Sequence, residues 1–82
     1  MDTASPSADE RREAFPLEFR GQIYACERIV RGRLRLTQTI VVAGVGSRLD
    51  AGAYGPGAHP VGTMAGIARI IATRIVEDAG YA

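Results

Sequence analysis

Four arginines in the middle of the chain are the first candidates for recognition chemistry. Arg28, Arg31, Arg33 and Arg35 follow one another with no acidic residue between them. On a strand Arg31, Arg33 and Arg35 share one face, and on a helix Arg28, Arg31 and Arg35 do. Guanidinium groups bind carboxylates and phosphates through paired hydrogen bonds. The cluster predicts contact with a protein partner through Arg31, Arg33 and Arg35, with nucleic-acid binding or a merely solvated strand face as alternatives.

A second candidate is the glycine-rich turn after residues 39 to 43. Gly44, Gly46, Ser47 and Arg48 would present backbone amides and one guanidinium group at the end of a strand, as phosphate-binding loops do. Leu49 stands where a dinucleotide-binding motif has its third glycine, and the chain has no lysine for a Walker-type loop. These four residues therefore predict an anion site, and a phosphate or nucleotide binder is an alternative function.

Three residues have the types used in nucleophilic catalysis, namely Cys26, Asp50 and His59. Their order in the chain indicates no shared geometry, and a single buried cysteine usually acts as a small hydrophobic side chain. One cysteine excludes an internal disulfide, and one histidine with one cysteine is too few for an ordinary zinc site. We therefore expect no enzyme, no catalytic residues, no metal and no cofactor.

Size and composition point to one small globular domain. The chain has 82 residues, a formal net charge of +1 and 46% hydrophobic residues. A domain of this size hides only about 60% of its unfolded surface on folding, so we expect it to need a partner, which is itself, a larger protein, or both. Residues 1 to 8 are polar, and the longest apolar stretch is far shorter than the roughly 20 residues that span a bilayer. We expect a cytoplasmic protein with no membrane contact.

The N-terminal residues 1 to 15 are predicted to form a polar arm or a short helix. Ser7 and Glu10 have the spacing of a capping box, and Pro16 would end a helix over residues 7 to 14. So short a helix is not stable alone and would need a surface to dock on.

The predicted sheet comes from residues 17 to 43. Residues 17 to 30 fit both a strand and a helix, and both interpretations bury Phe19 and Ile23. We favour the strand, because residues 33 to 43 form a strong strand that needs a neighbour. The predicted core positions of this second strand are Leu34, Leu36, Ile40 and Val42.

The C-terminal segment carries the clearest prediction, a helix that begins near Pro60 and ends at Gly80. Its apolar residues recur at helical spacing, but Ile70 falls on the polar side, where a solitary monomer would leave it in water. The residues of this helix predicted to contact a partner are Ile67, Ile70, Ile71 and Ile75.

These elements predict an α+β fold. Residues 16 to 82 would form one small domain with a two-stranded antiparallel sheet, or one completed by a partner, a glycine-rich loop over residues 44 to 59, and one long C-terminal helix. An all-α helical hairpin is the alternative. Because one helix on two strands makes a thin core, we expect a small non-catalytic interaction module that self-associates or serves as an accessory subunit of a larger bacterial-type assembly.

Overall fold

The computed structural model describes residues 9 to 80, which form an antiparallel sheet with one helix on one face. The four strands lie side by side in chain order: β1 (Glu10–Phe19), β2 (Gln22–Arg31), β3 (Thr37–Val42) and β4 (Gly46–Leu49). A 3₁₀ turn (Val61–Thr63) leads into the helix α1 (Met64–Asp78). The α+β class and the C-terminal helix are confirmed, whereas the two-stranded sheet and the all-α alternative are wrong.

The first hairpin explains most of this difference. Arg20 and Gly21 form a two-residue turn with φ angles of 52° and 82°, the left-handed conformation that matches the twist of a tight hairpin. The turn divides residues 17 to 30 between β1 and β2, and β1 extends back through positions where a short helix was predicted. Ser7, the predicted cap of that helix, lies outside the described residues.

The pairing register assigns the side chains of the sheet to two faces. Phe15 pairs with Cys26 and Leu17 pairs with Tyr24, and these residues pack towards α1. Alternate residues along each strand point the other way. Among residues 9 to 80 no helix or strand packs on that second face, which we call the open face. Ile23, predicted to be buried, lies on the open face and is 75% exposed.

The glycine-rich segment is ordered rather than an open loop. Its first part forms β4, and its second part runs beside the residues that precede β3, where Leu36 and Tyr54 exchange backbone hydrogen bonds of 2.7 and 3.0 Å. The strand predicted over residues 33 to 43 is correspondingly shorter. Leu34, predicted to face the core, is 76% exposed, whereas Leu36, Ile40 and Val42 are buried as predicted.

The core lies between α1 and the covered face of the sheet. The buried side chains of α1 recur every three or four residues along one side of the helix, and Ala68 and Ala72 allow its backbone to approach the sheet closely. The main cluster contains Leu17, Cys26, Ile40, Val42, Ala68, Ala72, Ile75 and Val76. Val30, Leu36, Tyr54 and Met64 form a second cluster under the start of the helix. Gly80 has φ 81°, as its predicted role as a helix terminator requires, and Tyr81 lies outside the described residues.

Candidate functional site

The predicted arginine cluster is not a free basic patch, because acidic residues around the start of β1 pair with it. The ion pairs are Arg28–Glu13, Arg31–Glu10 and Arg33–Asp9, with N–O distances of 2.7, 3.3 and 2.8 Å. Arg35 Nε donates a hydrogen bond to the carbonyl oxygen of Pro56 at 3.3 Å. Arg33 and Arg35 precede β3, so they do not share a strand face with Arg31 as predicted. The run of charges over residues 9 to 13 was the signal in the sequence for this neutralisation.

The predicted anion site occupies the turn between β3 and β4. Gly44 has φ 77° and lies in the turn, while Gly46 and Ser47 begin β4. The Arg48 guanidinium forms an ion pair with Asp78 at the end of α1. This cation compensates an acidic residue at the negative end of the helix dipole, which would otherwise be unfavourable there. The charge of Arg48 therefore already has a partner within the chain.

The isoleucines predicted to contact a partner lie in different environments. Ile75 is buried in the main core, and Ile71 packs partly against it. Ile67 lines a cleft at the start of α1, whereas Ile70 is 53% exposed. Of the four, Ile70 is the side chain most available to another molecule.

A buried polar network connects β3, the loop after β4 and the start of α1. The side-chain amide of Gln38 donates hydrogen bonds of 3.0 Å to Asp50 Oδ2 and to the Met64 carbonyl oxygen. The amide oxygen of Gln38 accepts a 3.3 Å hydrogen bond from Arg28 Nη1. Gln38 therefore explains the single polar residue in the otherwise apolar inner face of β3, since it joins three elements at once.

Asp50 is held by donors on both oxygens. Oδ2 accepts the hydroxyl of Tyr54 at 2.5 Å in addition to the Gln38 amide, and Oδ1 accepts the Gly52 N–H at 2.8 Å. Burial alone raises the pKa of Asp50, but these hydrogen bonds and the nearby His59 outweigh burial and leave the pKa below its usual value. The carboxylate is ionised at neutral pH and its main role is to hold the loop.

Asp50 and Tyr54 of this network line a cleft of about 440 Å³, together with His59, Thr63 and Ile67. The His59 ring lies 5.8 Å from the Tyr54 ring, measured between centroids. Cys26 lies in the main core instead, where burial raises the pKa of its thiol although Arg69 acts in the opposite direction. The structure therefore does not bring Cys26, Asp50 and His59 together as a catalytic group.

The hydroxyl of Tyr54 provides a direct spectroscopic test of the network. Burial, followed by the hydrogen bond to Asp50 and the charge of Asp50, raises the pKa of Tyr54 to about 12. We expect a phenolate absorbance step near pH 12 that is missing in Tyr54→Phe. A Tyr54 step at pH 10 in the folded protein would contradict this burial and pairing.

The open face of the sheet is a surface that no other helix or strand within residues 9 to 80 covers. Across its centre, Arg12, Ile29, Thr39 and Leu49 form one cross-strand row, and Ala14, Glu27, Val41 and Ser47 form the next. Leu49 is 63% exposed, while Ile29 is buried between its neighbours. The apolar strand residues on this face are Ala14, Pro16, Ile23, Ala25, Ile29, Val41 and Leu49.

One end of the open face combines a projecting side chain with a depression. Ile23 stands beside small or flat residues, Ala14, Pro16 and Ala25, which line a shallow hollow of about 400 Å³ together with the intervening positions of β1 and β2. Charged residues occupy the other end, where Arg12 contacts Glu10 at 3.5 Å and Glu27 at 3.3 Å. The open face therefore has a mainly apolar end, in which Glu18 lies opposite Ile23 as the one charged residue, and a charged end of mixed sign.

The open face is difficult to recognise in the sequence, because its apolar residues alternate with the apolar residues of the core. In β2, Ile23 and Ala25 alternate with Tyr24 and Cys26, so every position in this part of the strand is uncharged and moderately apolar. Such a run is typical of a strand with two apolar faces. The uncharged run therefore indicates two apolar faces, but the position of the turn at Arg20 and Gly21 decides which residues lie on which face.

Residues 9 to 80 contain no helix long and apolar enough to cross a membrane. Over the same range, no three side chains of the types that bind metals come together in a possible metal site. A scan against protein-family models gave no match, and searches of the curated proteins and of the solved structures gave none either.

Proposed function

We propose that this chain is a non-catalytic, cytoplasmic interaction module whose working surface is the open face of its sheet. The observation that carries the proposal is the exposure of large apolar side chains, above all Ile23 and Leu49, on a flat strand surface. Ile23 and Leu49 lie in different rows of this face, and large apolar side chains exposed on an uncovered sheet surface are typical of an interaction site. Self-association and service as an accessory subunit both use such a surface.

The dimensions of the chain support this proposal. It measures 41 × 35 × 17 Å, so its thickness is that of one sheet and one helix layer. Its radius of gyration is 13.8 Å, against about 12 Å for a compact domain of this length. Its accessible surface is 5242 Å², against about 4,700 Å² for a compact monomer of 8.7 kDa.

The edges of the sheet are weaker candidates than its open face. Pro16 lies in the middle of the edge strand β1, where it has no N–H to offer a new strand, and its carbonyl oxygen accepts a 3.2 Å hydrogen bond from Arg69. The opposite edge strand, β4, has only four residues. Both are features that hinder the addition of another strand.

The two alternative functions have less support. A nucleic-acid site needs arginines free to contact phosphates, but Arg28, Arg31 and Arg33 are paired with carboxylates. A phosphate site at the β3–β4 turn would have to compete with Asp78 for Arg48.

Site-specific photocrosslinking in the native cells tests which surface is used. Benzoylphenylalanine at Ser47, on the rim of the open face, should give one discrete crosslinked product, and the same group at Ile70 on α1 should give none. Adding Ile23→Asp should abolish the product from position 47, whereas Ile70→Asp should leave it unchanged. Crosslinking from position 70 alone, or a product from position 47 insensitive to Ile23→Asp, would refute the use of the open face.

A further inference from the structure

We propose that the partner on the open face is a second copy of this chain, bound face to face about a two-fold axis. This inference rests on the proposed function, because it assigns an occupant to the same surface. Three properties of the open face support a second copy: its shape, its charge and its area.

The shape of the open face is self-complementary. A two-fold interface uses the same patch on both molecules, so the patch must contain both a projection and a recess that fits it. Ile23 is the projection, and the adjacent hollow beside Ala14, Pro16 and Ala25 is the recess. A two-fold axis near the hollow allows Ile23 of each copy to enter the hollow of the other.

The charge of the open face permits the approach of an identical surface. Two copies always carry the same charge, so a surface with a strong single sign would repel its counterpart. Here Arg12 is paired with Glu10 and Glu27, and Arg31 is paired with Glu10, so both signs are present at the charged end, while Glu18 places one negative charge opposite Ile23. The formal charge of the whole chain is only +1. When the apolar ends of the two copies face each other, these ion pairs lie near the edge of the interface, in contact with water.

The area of the open face is enough for a reversible dimer. Strands of ten, ten, six and four residues spaced about 4.8 Å apart, at about 3.4 Å per residue, give a plan area of about 500 Å² per copy. Complete overlap of the two faces would bury about 1,000 Å² together, which is the lower limit for a specific interface, and overlap centred on the apolar ends buries less. We therefore expect a dimer that dissociates in the micromolar range rather than a permanent one.

The resulting dimer would be a sandwich of two sheets. Face-to-face sheets pack about 10 Å apart, with strands aligned to within about 30°. Both copies of α1 would then lie on the outside, with Ile70 still in contact with water. The second copy completes the two-layer core that a single thin sheet lacks.

Sedimentation equilibrium of the purified full chain, from about 1 to 200 μM, tests this inference. The wild type should pass from monomer to dimer within this range. Ile23→Asp should raise the dissociation constant by about 30-fold or more, as loss of a central contact does. Ala25→Arg, which fills the hollow and adds charge, should have a similar effect. Ile70→Asp is the matched control and should leave the dissociation constant unchanged within twofold.

The outcomes separate this inference from the proposed function. Circular dichroism identifies variants that remain folded, and both Ile23 and Ala25 are exposed positions whose replacement spares the core. A wild type that stays monomeric at 200 μM refutes the second copy, while crosslinking from Ser47 to a different protein would still support the open face. A dimer that is disrupted by Ile70→Asp and not by Ile23→Asp refutes both proposals.

Discussion

Replacing Gly55 with alanine is expected to lower the free energy of unfolding by about 3 kcal/mol or more. Gly55 has φ 127°, and an added Cβ would lie 2.2 Å from the backbone carbonyl oxygen of Leu34. This neighbour is main chain and not a flexible side chain, so the loop must move away from the residues before β3. The hydrogen bonds between Leu36 and Tyr54 lie next to the clash and would be weakened with it.

Thermal unfolding measures this effect, with a fall in Tm of about 12 to 24 °C expected for a domain of this size. Gly21→Ala is the control. Gly21 also has a positive φ, 82°, but no atom lies within 4 Å of the added Cβ. Its replacement should cost only about 1 kcal/mol, the conformational penalty alone. Equal losses of stability in Gly55→Ala and Gly21→Ala would contradict the close approach between Gly55 and the carbonyl oxygen of Leu34.

Asp50→Asn is expected to cost about 3 kcal/mol, because the site needs a side chain that only accepts hydrogen bonds. The Gly52 N–H points at one oxygen, and Gln38 and Tyr54 donate to the other. An asparagine must direct its NH₂ group towards one of these donors and leave it unsatisfied. Asp78→Asn is the control, because its ion pair with Arg48 is exposed and contributes about 0 to 1 kcal/mol.

The same variant has a signature in its pH dependence. The pKa of Asp50 is lowered on folding from its usual 3.8, so the ionised group stabilises the fold above that pH. This contribution is lost as the pH falls through the lowered folded pKa. The difference in unfolding free energy between wild type and Asp50→Asn, from denaturant titrations, should therefore be constant near neutral pH and shrink in acid. A difference that grows in acid would contradict the assignment.

The sequence predicts the end of the chain better than its beginning. The C-terminal helix follows from the spacing of apolar residues between Pro60 and Gly80, because a helix stripe repeats over many residues. The sheet depends on where the chain reverses, and that information lies in two residues. Arg20 is not a usual residue for a left-handed turn position, so the hairpin signal depends on Gly21 alone. Without that turn, β1 and β2 merge into one apparent element.

The charged residues show a second limit. The sequence predicts a basic cluster from a run of arginines, but the net charge of a surface depends on which strand lies beside it. The antiparallel register places Glu10 opposite Arg31 and Glu13 opposite Arg28, so each of these arginines forms an ion pair with an acid of the neighbouring strand. Gln38 is a polar residue among the apolar inner positions of β3, and its partner Asp50 lies in a loop whose path no periodicity predicts.

The open face shows the most instructive case. Ile23 was predicted to be buried because every alternation pattern buries it, and burial in a partner remains consistent with that pattern. We predict that the chain carries more apolar surface than it can bury alone. The exposed Ile23 and Leu49 support this prediction.

The most direct test of the open face is the solvent accessibility of two isoleucine methyl groups in one sample. In the dilute chain, the δ1 methyls of Ile23 and Ile70 should both relax strongly with a soluble paramagnetic agent, since these residues are 75% and 53% exposed. At high concentration, we expect the relaxation of Ile23 to fall sharply and that of Ile70 to stay unchanged. Shielding of Ile70 in place of Ile23, or of neither methyl, would contradict the account.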